Sequence, residues 1–205
     1  MPSQYRIRTF IQDGYYHVFN RGTAKGEIYK DQNDYEIFIH LLRTAVLPAS
    51  ESIQRKNFYQ KIRIISFCLM PNHFHIELQQ TNEDTLPKFM SSLTVAYSMF
   101  FNRKYHRTSA LFQGKYQSTN IDSDTYLLHL SRYIHLNPHS LGVNPFRYRY
   151  SSIEAYTSYK HPWIYTQPID ELLDITSQKQ REDWYKSFLL SVDDFGSLEK
   201  QDPFL

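Results

Sequence analysis

Apolar and polar positions change period several times along the chain, and the changes mark its elements. Tyr15 to Arg21 (YYHVFNR) is rich in β-forming residues and stops at Gly22, which predicts a strand. Asp31 can cap a helix in which Tyr35, Phe38, Ile39 and Leu42 recur at helical spacing to about Ala45. Pro48 to Asn57 is polar and loop-like. Lys61 to Met70 (KIRIISFCLM) ends in a nearly continuous apolar run, the pattern of a strand covered on both faces. Pro71-Asn72 breaks the run and predicts a hairpin. His73 to Gln80 (HFHIELQQ) then alternates strictly, with His73, His75, Glu77 and Gln79 on one face and Phe74, Ile76 and Leu78 on the other. Thr85 to Tyr105 reads as a long helix that tolerates Pro87 in its first turn. Gly114 marks a turn and Tyr116 to Ile121 a further strand. Asp122 or Ser123 caps a last helix that runs to Asn137, where Pro138 stops it. The order β-α-β-β-α-β-α predicts an α+β, ferredoxin-like antiparallel sheet with helices packed on one face.

Prolines 138, 145, 162 and 168 make the chain irregular after Asn137. A boundary near residue 160 would divide a body, 1–160, from a C-terminal extension, 161–205. With 205 residues, 41% hydrophobic and 21% charged, the chain suits one domain with an appendage and is not wholly disordered. No apolar run approaches the roughly 20 residues that span a bilayer. Met1 to Arg6 lacks the apolar stretch of a signal peptide, so a cytoplasmic chain without membrane contact is expected. The single Cys68 excludes an internal disulfide and a multi-cysteine zinc site. Charge is unevenly spread. Between Phe101 and Tyr150 seven lysines and arginines face two aspartates, a balance of +5, while from Ile169 onward nine acidic residues face four basic ones, a balance of −5. A basic middle suits a polyanion, and the 17 tyrosines and 14 phenylalanines supply rings that stack on bases or fill a wet core.

Two features could carry chemistry. Period two places His73 and His75 about 6.5–7 Å apart on one face, close enough for two imidazoles to converge on a divalent ion. The polar surroundings of that face predict a centre open to water. In the helix from Tyr126 to Asn137, residues 126, 129, 130, 133 and 137 form one stripe, so Tyr133 and Asn137 are neighbours one turn apart. An Asn137 carbonyl oxygen can serve a hard divalent ion as a third ligand, with the Tyr133 phenol beside it. A cation that polarises a phosphoryl oxygen and a phenol that attacks phosphorus suffice for transesterification of a phosphodiester. Tyr126 is the rival nucleophile, about 10 Å from Tyr133 along the helix axis. His129, between them, could move a proton or simply pack, and Glu77 could support the histidines from the same face. His17 is expected on an adjacent strand near the pair.

The segments YYHVFNRG (Tyr15–Gly22), LMPNHFHIELQ (Leu69–Gln79), LFQGKYQS (Leu111–Ser118), SRYIHLNP (Ser131–Pro138) and YSSIEAY (Tyr150–Tyr156) resemble, in order, the single-tyrosine HUH transposases, and most closely the REP-associated branch. The resemblance covers roughly residues 10–156 and implies that the body is a catalytic domain that nicks and rejoins single-stranded DNA. It implies His73, His75 and Asn137 as ligands of Mg2+ or Mn2+, and Tyr133 as the nucleophile that forms a covalent 5′-phosphotyrosine. The substrate it implies is hairpin or palindromic-repeat DNA, with the protein acting as a homodimer or a monomer near the nucleoid. Asn20, Arg21, Arg103, Lys104, Arg107, Lys115 and Arg132 are the candidate DNA contacts. Two features depart from the family pattern. The extension, with Trp163, Trp184 and the acidic run, matches nothing family-defining, and Asn137 to Gly142 (NPHSLG) lacks an arginine expected after the proline, which weakens a phosphate contact there. The rival readings are a domesticated DNA- or RNA-binding protein without catalysis and a two-histidine metal hydrolase.

Overall fold

A computed structural model describes residues 10–51, 57–158 and 160–191. The N-terminal residues 1–9, residues 52–56 of the expected loop, residue 159 and the acidic end of the extension, 192–205, lie outside the described residues. Strands β1 (Tyr15–Arg21), β2 (Ile62–Met70), β3 (His73–Gln80) and β4 (Gln117–Ile121) form one antiparallel sheet in the order β2-β3-β1-β4. Helix α1 (Gln32–Val46) joins β1 to β2, α2 (Thr85–Lys104) joins β3 to β4, and α3 (Asp124–Leu136) follows β4. The fold is α+β, and its elements follow the order that the hydrophobic periods predict. The caps form as expected. The Asp31 side chain accepts from Asp34 N at 3.1 Å at the start of α1, and Ser123 Oγ accepts from Tyr126 N at 3.3 Å at the start of α3.

Helices α1 and α2 lie on the face carrying Phe74, Ile76 and Leu78. Phe38 of α1 packs on Phe74 at 5.3 Å between ring centroids and on Tyr97 of α2 at 5.0 Å, all of them fully buried. The opposite face, expected to be open, is also covered. Helix α3 crosses it against β2 and β3, so His75, Glu77 and Gln79 are buried. The reason lies in the helix: Leu127, Leu130 and Ile134 make an apolar stripe that needs a partner surface, and the second face of the sheet offers one.

The chain after α3 closes the outer edge of β2. Leu69 N donates to Tyr150 O at 2.9 Å, Ser152 N to Phe67 O at 2.9 Å and Tyr165 N to Ile64 O at 2.7 Å, which leaves this edge no free template for another strand. Beyond it come α4 (Ile153–Thr157), α5 (Gln167–Leu172) and α6 (Gln178–Leu190). Trp163 stacks on Phe67 at 5.7 Å, and Trp184 stacks on Phe188 at 4.8 Å. No described helix is long and apolar enough to cross a membrane.

A buried polar chain docks α6. Tyr185 OH donates to Ser131 Oγ at 3.0 Å, and Ser131 Oγ donates to Leu128 O at 2.8 Å. With its proton so committed, the Tyr185 oxygen accepts from His135 Nδ1 at 2.6 Å, and His135 Nε2, 2.7 Å from Ser152 Oγ, is the acceptor there. Ser152 Oγ in turn accepts from Phe67 N at 2.8 Å. The chain needs a neutral imidazole, and burial pushes His135 down to about 3 from an ordinary 6.5. Between those values the unfolded chain binds the proton and the folded one does not, so this contribution to stability is present above pH 6.5 and is lost as pH falls. The urea midpoint is expected to fall from pH 6.5 toward pH 4, and His135→Gln to make that fall shallower. A wild-type slope retained by the variant would contradict the assignment.

Candidate functional site

The pleat of β3 turns His73 and His75 toward α3, with ring centroids 5.1 Å apart and planes at 86°. From α3, Tyr133 meets His75 edge-on at 5.6 Å. Asn137 ends the helix. Its backbone N–H and its Nδ2, the latter at 3.1 Å, both donate to Tyr133 O, and its side chain also hydrogen-bonds the His73 ring. Side chains from two elements more than fifty residues apart thus meet at one place. His75 and Tyr133, the latter 5% exposed, form its floor, and the half-buried His73 and Asn137 form its rim. The four side chains are therefore buried or half-buried and do not lie on an open polar face.

Burial is the main cause of the local electrostatics. It holds His73 down to about 4, with Arg21 lowering it further and the Asn137 contact opposing, and it holds His75 well below the ordinary range, with His73 and His17 adding to the effect. Both imidazoles are neutral at physiological pH, the form that ligates metals. Among the described residues no group of three His, Cys, Asp or Glu is placed to hold a metal, so an ion here would use the amide of Asn137 beside the two imidazoles. The surroundings of His73 fit this. Asn72 Oδ1 lies 2.6 Å from His73 Nδ1, and the Asn137 contact raises the ring's pKa, the effect of an acceptor oxygen. A neutral ring has one N–H and serves one of the two oxygens; a divalent cation would satisfy the other.

The other candidates divide. Glu77 is fully buried beside the pair. Its Oε2 accepts from Ser66 Oγ at 2.8 Å, its Oε1 has no hydrogen-bond partner among the described residues, and burial raises its pKa to about 8. His129 packs against Phe188 of α6 at 5.7 Å, and Tyr126 stands in the first turn of α3. Two of the expected DNA contacts are engaged inside the protein. Arg132 is 2% exposed, lies over the Phe188 ring and donates to Ser191 O. Asn20 is buried and donates to Gly114 O at 3.1 Å, tying the loop before β4 to β1. Lys104, at the surface with its side chain 27% exposed, pairs with Asp31 and Asp34, each at 2.7 Å, and joins the end of α2 to the start of α1. Arg132 and Asn20 are corrected to structural roles: adjacency in sequence to basic or motif residues says nothing about which way a side chain points. Arg103 and Lys115 are exposed, and Arg107 is half-buried over the Phe101 ring. Arg21 lies opposite His73 in the β1–β3 register and donates to Gln113 Oε1 at 2.7 Å. His135, a buried anchor for α6, was not singled out in the sequence. Its place on the helix side opposite the Tyr133 stripe is the only signal that could have marked it.

Residues 10–137 match the family model described as "Transposase IS200 like". No curated protein matches the sequence. Among solved structures, a REP-associated tyrosine transposase bound to a REP hairpin superposes with a TM-score of 0.53 at 14% identity, covering 80% of this chain and 90% of that one. A candidate transposase from Deinococcus radiodurans aligns with a TM-score of 0.40 at 15% identity over 65% of this chain and 95% of its own.

Gly22 sets the distance between β1 and the hairpin that carries His73. Its N–H donates to Asn72 O at 2.8 Å, and a Cβ there would sit 2.0 Å from Gly26 O. Gly22→Ala is therefore expected to force the 22–26 turn off the hairpin and to cost about 1–3 kcal/mol by overpacking, measured by urea unfolding. An unchanged midpoint would contradict the close approach.

Proposed function

The chain belongs to the IS200-like transposase family, and on that premise we propose that it nicks and rejoins single-stranded DNA by transesterification through Tyr133. The observation that carries the reading is the contact of the Tyr133 ring with His75 while Asn137, one turn on, joins Tyr133 to His73. In the proposed step the Tyr133 hydroxyl oxygen forms a bond to phosphorus, and the bond from phosphorus to the 3′ oxygen breaks. The phenol proton is given up and the departing oxygen ends as a 3′-hydroxyl, so the protein is left joined to a 5′-phosphate. The reverse attack by a 3′-hydroxyl reseals DNA and releases the tyrosine. No net phosphodiester energy is lost, so the cycle needs no nucleotide cofactor.

His73, His75 and Asn137 would hold Mg2+ or Mn2+, which when bound supplies polarisation of a phosphoryl oxygen and offsets charge in the transition state. The residues of the chain do the rest. Asn137 keeps the last turn of α3 closed on Tyr133, which limits where the phenol can stand. Arg21 at the rim brings positive charge to the strand end where a phosphate would enter. Arg107 and Lys115, with the rings of Phe112 and Tyr116 and the hydroxyls of Ser91, Thr94 and Ser98, line a groove of about 1100 Å3 beside α2. Cations for phosphates and rings for bases suit single-stranded or hairpin DNA there.

Three outcomes are expected with a labelled hairpin oligonucleotide and Mn2+ on a denaturing gel. Wild-type protein forms a protein-linked DNA band, Tyr133→Phe forms none while still retarding the DNA on a native gel, and His75→Ala or EDTA abolishes the band. An adduct that survives in Tyr133→Phe removes Tyr133 from the role. Multiple turnover with no adduct points to the metal hydrolase, and binding without cleavage to the domesticated protein. Lys115→Ala is expected to weaken DNA binding and to lower the salt dependence by about one phosphate contact, read from log K against log salt.

A further inference from the structure

Each of the two rim-and-floor histidines has its Nδ1 in contact with a polar side chain that is not itself part of the proposed ligand set. Asn72, in the turn between β2 and β3, donates from Nδ2 to Lys25 O at 3.2 Å. That bond settles which end of the amide faces the ring: Oδ1 lies 2.6 Å from His73 Nδ1. An amide oxygen only accepts, so this contact favours the His73 tautomer with its proton at Nδ1 and its lone pair at Nε2. On β1, His17 Nε2 lies 2.9 Å from His75 Nδ1, with the two rings stacked at 5.1 Å and 22°. Phe19 packs against both rings, at 4.9 Å from His17 and 5.9 Å from His75, which restricts their planes. One proton lies between the two nitrogens. If His17 donates it, the neutral His75 must carry its own proton at Nε2 and cannot ligate there. If His75 donates it, the Nε2 lone pair is presented to the pocket.

We propose that His17 and Asn72 are positioning residues of the metal centre: they accept the Nδ1 protons of His75 and His73 and so present both Nε2 lone pairs to one cation. The inference rests on the metal-centre reading above. The two acceptors differ in kind. Asn72 is set by a carbonyl on the 22–26 turn, so the turn that Gly22 holds against the hairpin also determines the His73 tautomer. His17 is a buried ring on the central strand, and its own hydrogen bond to His75 occupies the nitrogen with which it could have become a third imidazole ligand.

Titration of the full chain with Mn2+ by calorimetry tests this. Removing an outer partner of a metal-bound histidine typically costs about 10–100-fold in affinity, and that loss is expected for His17→Phe and for Asn72→Ala. His17→Gln and Asn72→Asp each retain an acceptor oxygen at the same reach and are expected to recover most of it, which a role in packing alone would not produce. Long-range 1H–15N correlation spectra of the wild-type protein saturated with Mg2+ should show His73 and His75 both protonated at Nδ1, and this readout stands if a variant fails to fold. Unchanged Mn2+ affinity in His17→Phe and Asn72→Ala, or an Nε2-protonated His75 in the Mg2+ form, would overturn the proposal. Absence of Mn2+ binding by the wild type, with His75→Ala indistinguishable from it, would remove the metal centre itself.

Discussion

The packing of α3 across the second face of the sheet is the contact from which the rest of the site follows. It is driven by apolar side chains. Leu127, Leu130 and Ile134 are buried at 4% exposure or less, and burial of such side chains stabilises by about 1.5–3 kcal/mol each. The cost is that a face bearing His75, Glu77 and Gln79 leaves water. An unsatisfied buried polar group costs about 1–3 kcal/mol, so the packing is favourable only because most of these groups find partners. Glu77 has Ser66, His75 has His17, and Gln79 accepts from Arg63 at 3.3 Å. One helix placed for apolar reasons thereby sets a phenol and an amide against two imidazoles that a strand had already put on one face.

The same burial separates charge from chemistry. Inside, both imidazoles are neutral, and the Glu77 carboxyl, pushed up to about 8, is mostly protonated at pH 7. A charged carboxylate there would repel an incoming phosphate. Outside, Arg21, Arg103, Arg107 and Lys115 supply positive charge at the rim and along the loop before β4. A polyanion would be attracted over a distance of roughly a Debye length, about 8 Å at physiological salt, and would then meet a centre whose own groups carry no competing negative charge.

Much of this was legible in the residues. The strand β3 could be read to the residue, since alternation of short polar and apolar side chains admits no helix, and the caps at Asp31 and Ser123 follow from hydrogen-bonding chemistry alone. The pairing of Tyr133 with Asn137 needed only the helical repeat. The covering of the second face was signalled, but by β2 and not by β3. A nearly continuous apolar run from Ile64 to Met70, interrupted at Ser66, the partner of Glu77, requires cover on both sides. The alternation in β3 pointed toward solvent because its buried face carries the polar residues of the site. Arg132 and Asn20 were misread for a related reason: a side chain's charge or polarity does not reveal whether an aromatic ring or a backbone carbonyl elsewhere in the chain is waiting for it.

The extension bears on the site through α3 itself. Successive residues of a helix are 100° apart, so a rotation of about one residue would carry Tyr133 away from His75. The sheet contacts resist that rotation from one side only. On the other side Ser131 and His135 are hydrogen-bonded through Tyr185 of α6, and Arg132 lies over Phe188 and reaches Ser191. Residues 131, 132 and 135 thus fix the rotational phase of the helix from the face opposite to 133 and 137. A segment beyond the residues that match the family model can in this way determine where the phenol stands.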